Sequence, residues 1–393
     1  MLLKKRFVKL KTLCEQIRGV SYTPKDVRDT PAEGYLPVFR ANNIQDKITL
    51  DDLVYVKHKK IGAEQLLKEG DILICASSGS KKIVGKAVMV HNLTIQPASF
   101  GAFCKVVRPT KIYAPYLAHF FNSSYYRNTI SHTALGANIN NIRNEHINNL
   151  DIPYPDQTEQ KRIAERLDKV QELIALQKEQ LKKLDDLIKS RFIDLFGNPI
   201  TNSKKFKIDT LNNICDVRDG THASPEYVLK GYPLITSKNI INGEISLEEV
   251  NFITKLDFDN INKRSKVDVG DILLPMIGTI GNPALVERET NYAIKNMALI
   301  KFLPQSRCSN LYILYLLRSS FLDNIIKNQQ RGGTQKFLAL KTIRGLQIPI
   351  PPISSQVQFA DFVTKIKAQK GLLTTRLSHL ETLYKSLMQE YFG

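Results

Sequence analysis

Two stretches carry residue types that do phosphate and metal chemistry. Gly79-Ser80-Lys81-Lys82-Ile83-Val84-Gly85-Lys86-Ala87 has the glycines and lysine of a phosphate-cradling loop. That loop needs four residues between its glycines and a Ser or Thr after its lysine, whose hydroxyl holds magnesium. Here five residues separate Gly79 from Gly85, and Ala87 has no hydroxyl, so the stretch reads as a lysine-rich loop. Pro155-Asp156 followed by Glu159-Gln160-Lys161 imitates the two carboxylates and lysine of a metal-dependent nuclease. Those groups must converge on one metal. They would instead crowd into the first turn of a helix, and a related stretch has Ser355 and Val357 at the Glu159 and Lys161 positions. The set reads as a helix cap. No Asn-Pro-Pro-Tyr or Asp-Pro-Pro-Tyr sequence is present to hold an adenine for methyl transfer, and no Gly-x-Gly-x-x-Gly loop to hold a nucleotide or S-adenosylmethionine. The seven histidines show no ligand spacing. The expectation is a protein with no catalytic residue and no metal site.

The elements that would position any other chemistry are written twice. Leu150-Asp151-Ile152-Pro153-Tyr154-Pro155 corresponds to Leu346-Gln347-Ile348-Pro349-Ile350-Pro351. From there to Gly197 and Gly393 the offset stays at 196 without a gap, with 15 identities in 48 pairs, among them Gln160/Gln356 and Phe196/Phe392. Upstream, with small shifts, Gly34-Tyr35 … Asn42 is aligned with Gly231-Tyr232 … Asn239, and Gly70-Asp71-Ile72-Leu73 with Gly270-Asp271-Ile272-Leu273. Leu135-Gly136-Ala137-Asn138 is aligned with Arg331-Gly332-Gly333-Thr334. The tails are alike and the parts before them have diverged, as expected of two modules that read different things from one scaffold.

Each tail has the spacing of a long helix. Ile163, Leu167, Val170, Ile174, Gln177, Leu181, Leu184 and Ile188 alternate by four and three. Phe359, Val363, Ile366, Lys370, Leu373, Leu377, Leu380 and Tyr384 repeat that stripe at the same offset. A heptad stripe sustained this long predicts helix against helix, antiparallel because a whole domain connects the two. The alternative is that each helix packs on its own domain. Asp156 with Glu159, and Ser355 with Gln358, are candidate capping boxes. Gly197, with Pro199 behind it, should end the first helix. At about 40 residues each helix would be roughly 60 Å long and serve as a spacer. The variable parts read as mixed α/β, with strands at 72–76, 87–91, 103–107 and 271–274 and helices at 114–125 and 311–326.

Composition bounds the partner. The 393 residues suit two or more domains, and 42% hydrophobic with 24% charged residues suits folded chain. A formal net charge of +18 favours a polyanion, nucleic acid first and an anionic membrane second. Neither a signal peptide nor a stretch of roughly 20 apolar residues is found, so a cytoplasmic location is expected. Cys14, Cys75, Cys104, Cys215 and Cys308 are scattered and odd in number, and read as reduced thiols in or near cores.

Three sets of motifs resemble one family. Asp219-Gly220-Thr221-His222-Ala223-Ser224-Pro225 followed by Tyr232-Pro233-Leu234-Ile235-Thr236-Ser237-Lys238-Asn239-Ile240 is similar to the opening of a target recognition domain in type I restriction-modification specificity subunits. Ser21-Tyr22-Thr23-Pro24-Lys25-Asp26 with Pro37-Val38-Phe39-Arg40-Ala41-Asn42-Asn43-Ile44 resembles another variant. The two Gly-Asp-Ile-Leu strand entries, Gly332-Gly333-Thr334-Gln335-Lys336, and Ile152-Pro153-Tyr154-Pro155 … Glu159-Gln160-Lys161-Arg162-Ile163-Ala164 complete the match; Val357 departs from it at the Lys161 position.

The resemblance implies two mixed α/β (α+β) recognition domains, 1–153 and 198–349. It implies two spacer helices, 154–197 and 350–393, forming an antiparallel coiled coil with internal pseudo-twofold repeat. Each domain would read one half of a split double-stranded DNA target, while the helices set the gap and dock two methyltransferase subunits, through which restriction subunits join. S-adenosylmethionine, ATP and magnesium would belong to those partners and none to this chain.

Arg, Asn, Gln, Ser, Thr and His in loops reach base edges, and Lys and Arg neutralise phosphates. On that ground the candidate DNA contacts are Arg40, Asn42, Ser78, Lys81, Lys82, Asn138, Asn140 and Arg143 in the first domain. In the second they are Thr221, His222, Lys238, Asn239, Thr279, Arg331, Thr334, Gln335 and Lys336. Asp71 and Asp219 are expected to hold loops through backbone bonds. Lys178, Lys182 and Lys183 fit a solvated face, a partner surface or a phosphate track equally. Three other readings stay open at this stage: a nuclease or methyltransferase with an unusual site, a DNA-binding regulator without an enzyme partner, and a structural adaptor whose charge is incidental.

Overall fold

The computed structural model describes residues 6–80, 83–133, 140–278, 280–288, 291–329 and 337–393. The chain divides into two compact units, 1–178 with 375–393, and 179–374, so each unit takes about half of each long helix.

The first unit is built on two four-stranded sheets. One runs in the order Cys14–Arg18, Cys104–Pro109, Ile72–Cys75, Ala87–Met89, all antiparallel. The other runs Val27–Arg28, Val54–Lys57, Tyr35–Phe39, Ser99–Phe100, with its last pair parallel. Phe7–Lys9 pairs with Asp151–Pro153 at the helix entry. The central strand Ile72–Cys75 is buried throughout, because alternate side chains serve different cores. Ile72 and Ile74 join Tyr116, Phe120 and Phe121, while Leu73 and Cys75 join Phe39 and Phe100.

The second unit repeats this order with other residues. Asp216–Asp219, Met297–Lys301, Ile272–Pro275 and Ala284–Leu285 form one sheet. Tyr227–Val228, Asn251–Ile253, Tyr232–Ile235 and Ala293–Ile294 form the other, again with the last pair parallel. Lys207–Thr210 pairs with Gln347–Ile350.

Buried polar side chains repeat with the topology. The Tyr116 hydroxyl donates to the Pro153 carbonyl at 2.8 Å, and the Tyr312 hydroxyl to the Pro349 carbonyl at 2.8 Å. Gln160 accepts from the Tyr113 amide and donates to the Pro155 carbonyl; Gln356 accepts from the Ser309 amide and donates to the Pro351 carbonyl. Asp71 receives the Lys68 amide and the Arg108 guanidinium, and Asp271 the Asp268 amide and the Lys301 ammonium. Satisfied pairs of this kind specify one packing, because either partner alone would be a buried unpaired group.

The long helices span Gln157–Phe196 and Ile353–Phe392. Gly197 ends the first with φ +72°. In the first unit the helices run antiparallel: Arg166 donates to the Tyr391 hydroxyl, Gln171 to the Tyr384 hydroxyl, and Lys178 pairs with Glu381. In the second, Phe359 packs edge-on to Phe192 and Phe196, and Lys370, the one polar residue of its stripe, pairs with Asp185. The stripe does a second job as well. Ile163, Leu167 and Val170 are buried in the first globular core, with Ile174 and Tyr384 against it. Ile188, Phe359, Val363 and Ile366 are buried in the second, with Leu184 against it. Leu373 is buried, and Leu181, Leu377 and Leu380 are half-buried. Helix–helix and helix–domain packing are therefore both made.

Several local expectations are corrected. The helix expected at 114–125 is two, Ala114–Phe120 and Ser124–Thr133, and that at 311–326 is also two, Asn310–Leu317 and Ser320–Gln329. Ser123 and Ser319 break them, each hydroxyl accepting an amide of the following helix. Asp156 caps the first long helix by accepting the Glu159 amide at 2.9 Å, but Glu159 turns to Arg162 instead of closing the box. Ser355 lies inside the second long helix and is no cap. The register of the upstream repeat also moves by one. Phe39 pairs with Phe100 as Ile235 pairs with Ile294, so Leu36 stands where Tyr232 does and Asn43, not Asn42, where Asn239 does.

Candidate nucleic-acid interface

In each unit the ends of the central strands meet at one cluster of loops. In the first, the Val20 amide donates to the Phe100 carbonyl and the Gly101 amide to the Phe39 carbonyl, which places Arg40 beside the 101–103 turn. The Phe103 carbonyl accepts both the Ala76 and Ser77 amides, and Ser77–Ser78 pairs with Asn140–Asn141. In the second, the Thr221 amide donates to the Ile294 carbonyl, the Lys295 amide to the Ile235 carbonyl and the Met276 amide to the Asn296 carbonyl. Ile277 bridges Phe337 there. Close approach of backbone to backbone makes this possible. A Cβ at Gly19 would lie 2.1 Å from the Gly101 carbonyl oxygen, and one at Gly220 would lie 2.3 Å from the Ile294 carbonyl oxygen.

The structure gathers most described candidates at these clusters. Arg40 is half-buried and donates to the Asp52 carbonyl at 2.6 Å. Asn42 is exposed, and the Ser78 hydroxyl accepts the Ser80 amide at 3.1 Å. Arg143 is exposed and reaches Glu145. The Thr221 hydroxyl accepts the Ala223 amide, while the exposed His222 ring bonds Asn296 at 2.8 Å and Asp219 at 3.0 Å. Lys238 is exposed. Lys81, Lys82, Asn138, Thr279, Arg331, Thr334, Gln335 and Lys336 lie outside the described residues; of Asn140 only the backbone pairing is described.

Asn239 is corrected from reader to framework. It is buried, and its Oδ1 accepts the amide and hydroxyl of Thr236. Asn43 does the same for the Arg40 amide and donates to the Thr49 and Asp51 carbonyls. Asp71 holds its loop through the Lys68 amide, but Asp219 works through side chains, accepting from Arg264 at 2.6 Å. Lys295, which donates to the Ser224 hydroxyl at 2.6 Å, and Asn296, at φ +54°, were not picked out from the sequence. Both sit at the start of what reads as an ordinary strand, and only the fold turns them towards Thr221.

The nuclease-like stretch takes another role, while the Gly79-to-Ala87 stretch includes Lys81 and Lys82, which lie outside the described residues. Arg162 bonds both oxygens of Glu159 and holds its carboxyl below the usual range, so the Pro155-to-Lys161 stretch is a cap and an ion pair. Among the described residues no three His, Cys, Asp or Glu side chains gather as metal ligands, and no helix is long and apolar enough to cross a membrane. Cys75, Cys104, Cys215 and Cys308 are buried free thiols; burial pushes Cys215 and Cys308 up to about 12.

The family described as "Type I restriction modification DNA specificity domain" matches this chain twice, at residues 4–186 and 203–382. The chain belongs to that family. The two matches correspond to the two copies of the sheet order. Among its relatives are the type I restriction enzyme StySPI specificity subunit of Salmonella potsdam, 29% identical over 96% of this chain and 85% of the relative. The EcoKI specificity subunit of Escherichia coli strain K12 is 27% identical over 97% of this chain and 87% of its own length. The fold is shared with the S subunit of a type I restriction-modification system from M. genitalium, at a TM-score of 0.59 and 14% identity, covering 100% of this chain and 97% of the other. A second solved chain, described under complex assembly and conformational transition of the type I R-M system, gives a TM-score of 0.57 at 15% identity, covering 100% and 99%.

Proposed function

We propose that this protein is the DNA-recognition subunit of a type I restriction-modification complex, each specificity domain reading one half of a split target. One observation carries the reading. The buried framework is the same in both domains and the loop-cluster residues standing on it are not. Asn43/Asn239, Gln160/Gln356, Tyr116/Tyr312, Asp71/Asp271 and Gly19/Gly220 keep residue type and role. At the loop ends, equivalent positions hold Arg40 against Thr236, Asn42 against Lys238, Phe103 against Asn296 and Asn141 against Phe337. Direct readout needs this division, since base edges are distinguished by side chains presented from a fixed frame.

In this reading the chain neither cuts nor methylates. The long helices set the number of unread base pairs between the half-targets and dock two methyltransferase subunits, with restriction subunits joining through those. Leu176/Leu372 and Leu187/Leu383 support a partner bound twice, because all four are exposed leucines at the 196 offset. S-adenosylmethionine, ATP and magnesium belong to the partner subunits. Exchanging residues 1–150 for those of another first domain, within the complex, should change one half of the methylated motif. A change in both halves would contradict the reading. A specifically bound target with no methylation in the presence of the co-expressed methyltransferase would favour a regulator instead.

A further inference from the structure

Phe103 is 70% exposed although it follows two buried strand residues, Ser99 and Phe100, and leads into the buried strand Cys104–Pro109. Its exposure is not that of a loose loop. The Cys104 amide donates to the Gly101 carbonyl, the Gly101 amide to the Phe39 carbonyl, and the Phe103 carbonyl takes two amides, from Ala76 and Ser77. The turn is pinned on three sides while its ring stands in solvent. It stands beside Ser77–Ser78 and the strand Asn140–Asn141, within the loop cluster of polar candidates.

The second domain has Asn296 at that position, so no aromatic is required there by the fold. It exposes a large apolar group at the same cluster from another segment, an isolated bridge outside the strands. Phe337 is 50% exposed, and Ile277, its bridge partner, 42%. The equivalents of these two in the first domain are Asn141 and Ser77. Each domain thus spends one solvent-exposed Phe at its loop cluster, at a site the other domain fills with a polar residue. Isolated exposed apolar residues need no explanation. Two that recur at one functional edge, from non-equivalent positions on a duplicated frame, do.

We propose that Phe103 and Phe337 are specificity residues that contact bases through their apolar ring faces, each reading one position of its half-target without a hydrogen bond. The inference rests on the DNA-recognition reading above. An aromatic ring discriminates bases by packing on the thymine methyl group or by stacking at a base step, and both are apolar contacts open to an exposed ring.

The test uses the full chain co-produced with its methyltransferase partner, with base-resolution mapping of methylation and equilibrium binding to the mapped duplex. Phe103→Ala should relax one base pair of the half-target assigned to the first domain, by on the order of ten-fold in discrimination, and leave the other half unchanged. Phe337→Ala should do the reverse. Val269→Ala, an exposed apolar residue at the opposite end of strand Ile272–Pro275 from Ile277, should change nothing. Uracil in place of thymine separates the two contacts: a loss for the wild type equal to that of Phe103→Ala identifies the methyl group, and no loss, with rescue by Phe103→Trp, identifies stacking. Both alanine variants methylating the wild-type motif with wild-type discrimination would overturn the inference and leave the recognition reading standing. A wild-type complex without sequence preference would overturn the recognition reading, and the inference with it.

Discussion

Lys105 shows how one buried residue ties together the segments that carry the loop cluster of the first domain. It lies in strand Cys104–Pro109, is 7% exposed, and donates to Gln16 Oε1, Asn144 Oδ1 and the Ile142 carbonyl. All three acceptors are neutral, and burial pulls its ammonium down to about 8. Below that pH both folded and unfolded chains carry the charge. Between about 8 and the ordinary lysine value near 10.5 the unfolded chain holds one more proton, so stability rises with pH across that window. Lys105→Met should flatten this rise by on the order of 1–3 kcal/mol, read as the difference between variant and wild-type denaturant midpoints from pH 7 to 10.5. Identical slopes would remove Lys105 from this role. Single residues of this kind were the least legible from sequence. Asn42 and Asn43 are adjacent and chemically alike, and only the hydrogen bond from the Arg40 amide tells the frame residue from the exposed one. Phe103 reads as the first apolar residue of a strand, and its exposure follows from a turn that the sequence marks only with Gly101.

At the scale of elements, both long helices were legible because a stripe of period 3.5 runs through each, broken by a single polar residue, Gln177 in the first and Lys370 in the second. What the stripe could not reveal is that the last turns of the second helix complete the first domain's core. Leu387, Met388, Tyr391 and Phe392 are buried there, Phe392 with ring centroids 5.0 Å from Tyr116 and 5.9 Å from Phe120. Phe196 does the equivalent in the second unit, 4.8 Å from Tyr312. Truncating a buried Phe to Ala costs about 3–5 kcal/mol. Phe392→Ala should therefore speed amide exchange in strands Ile72–Cys75 and Cys104–Pro109, far away in sequence, and spare Ile272–Pro275 and Met297–Lys301. Hydrogen exchange resolved by segment reads this directly. Unchanged exchange in the first pair of strands would show that the helix end is not part of that core. The broken helices at Ser123 and Ser319 were missed for a related reason, since the apolar spacing continues across each break while a serine hydroxyl caps a new start.

At the scale of the whole molecule, the duplication was legible and decisive. An unbroken offset over both tails required two copies of one scaffold, and the same strand order appears in both units. The net charge of +18 agrees with a polyanionic partner, but charge has no address. In the proposed reading the address lies in loops where two copies of one frame differ, and side chains alone do not spell out bases. The most direct test is a modified-base map of a host carrying the methyltransferase gene, with this gene intact, deleted and restored. The account predicts methylation at one split motif that disappears on deletion and returns on restoration. Methylation of the same motif persisting without this chain would contradict it.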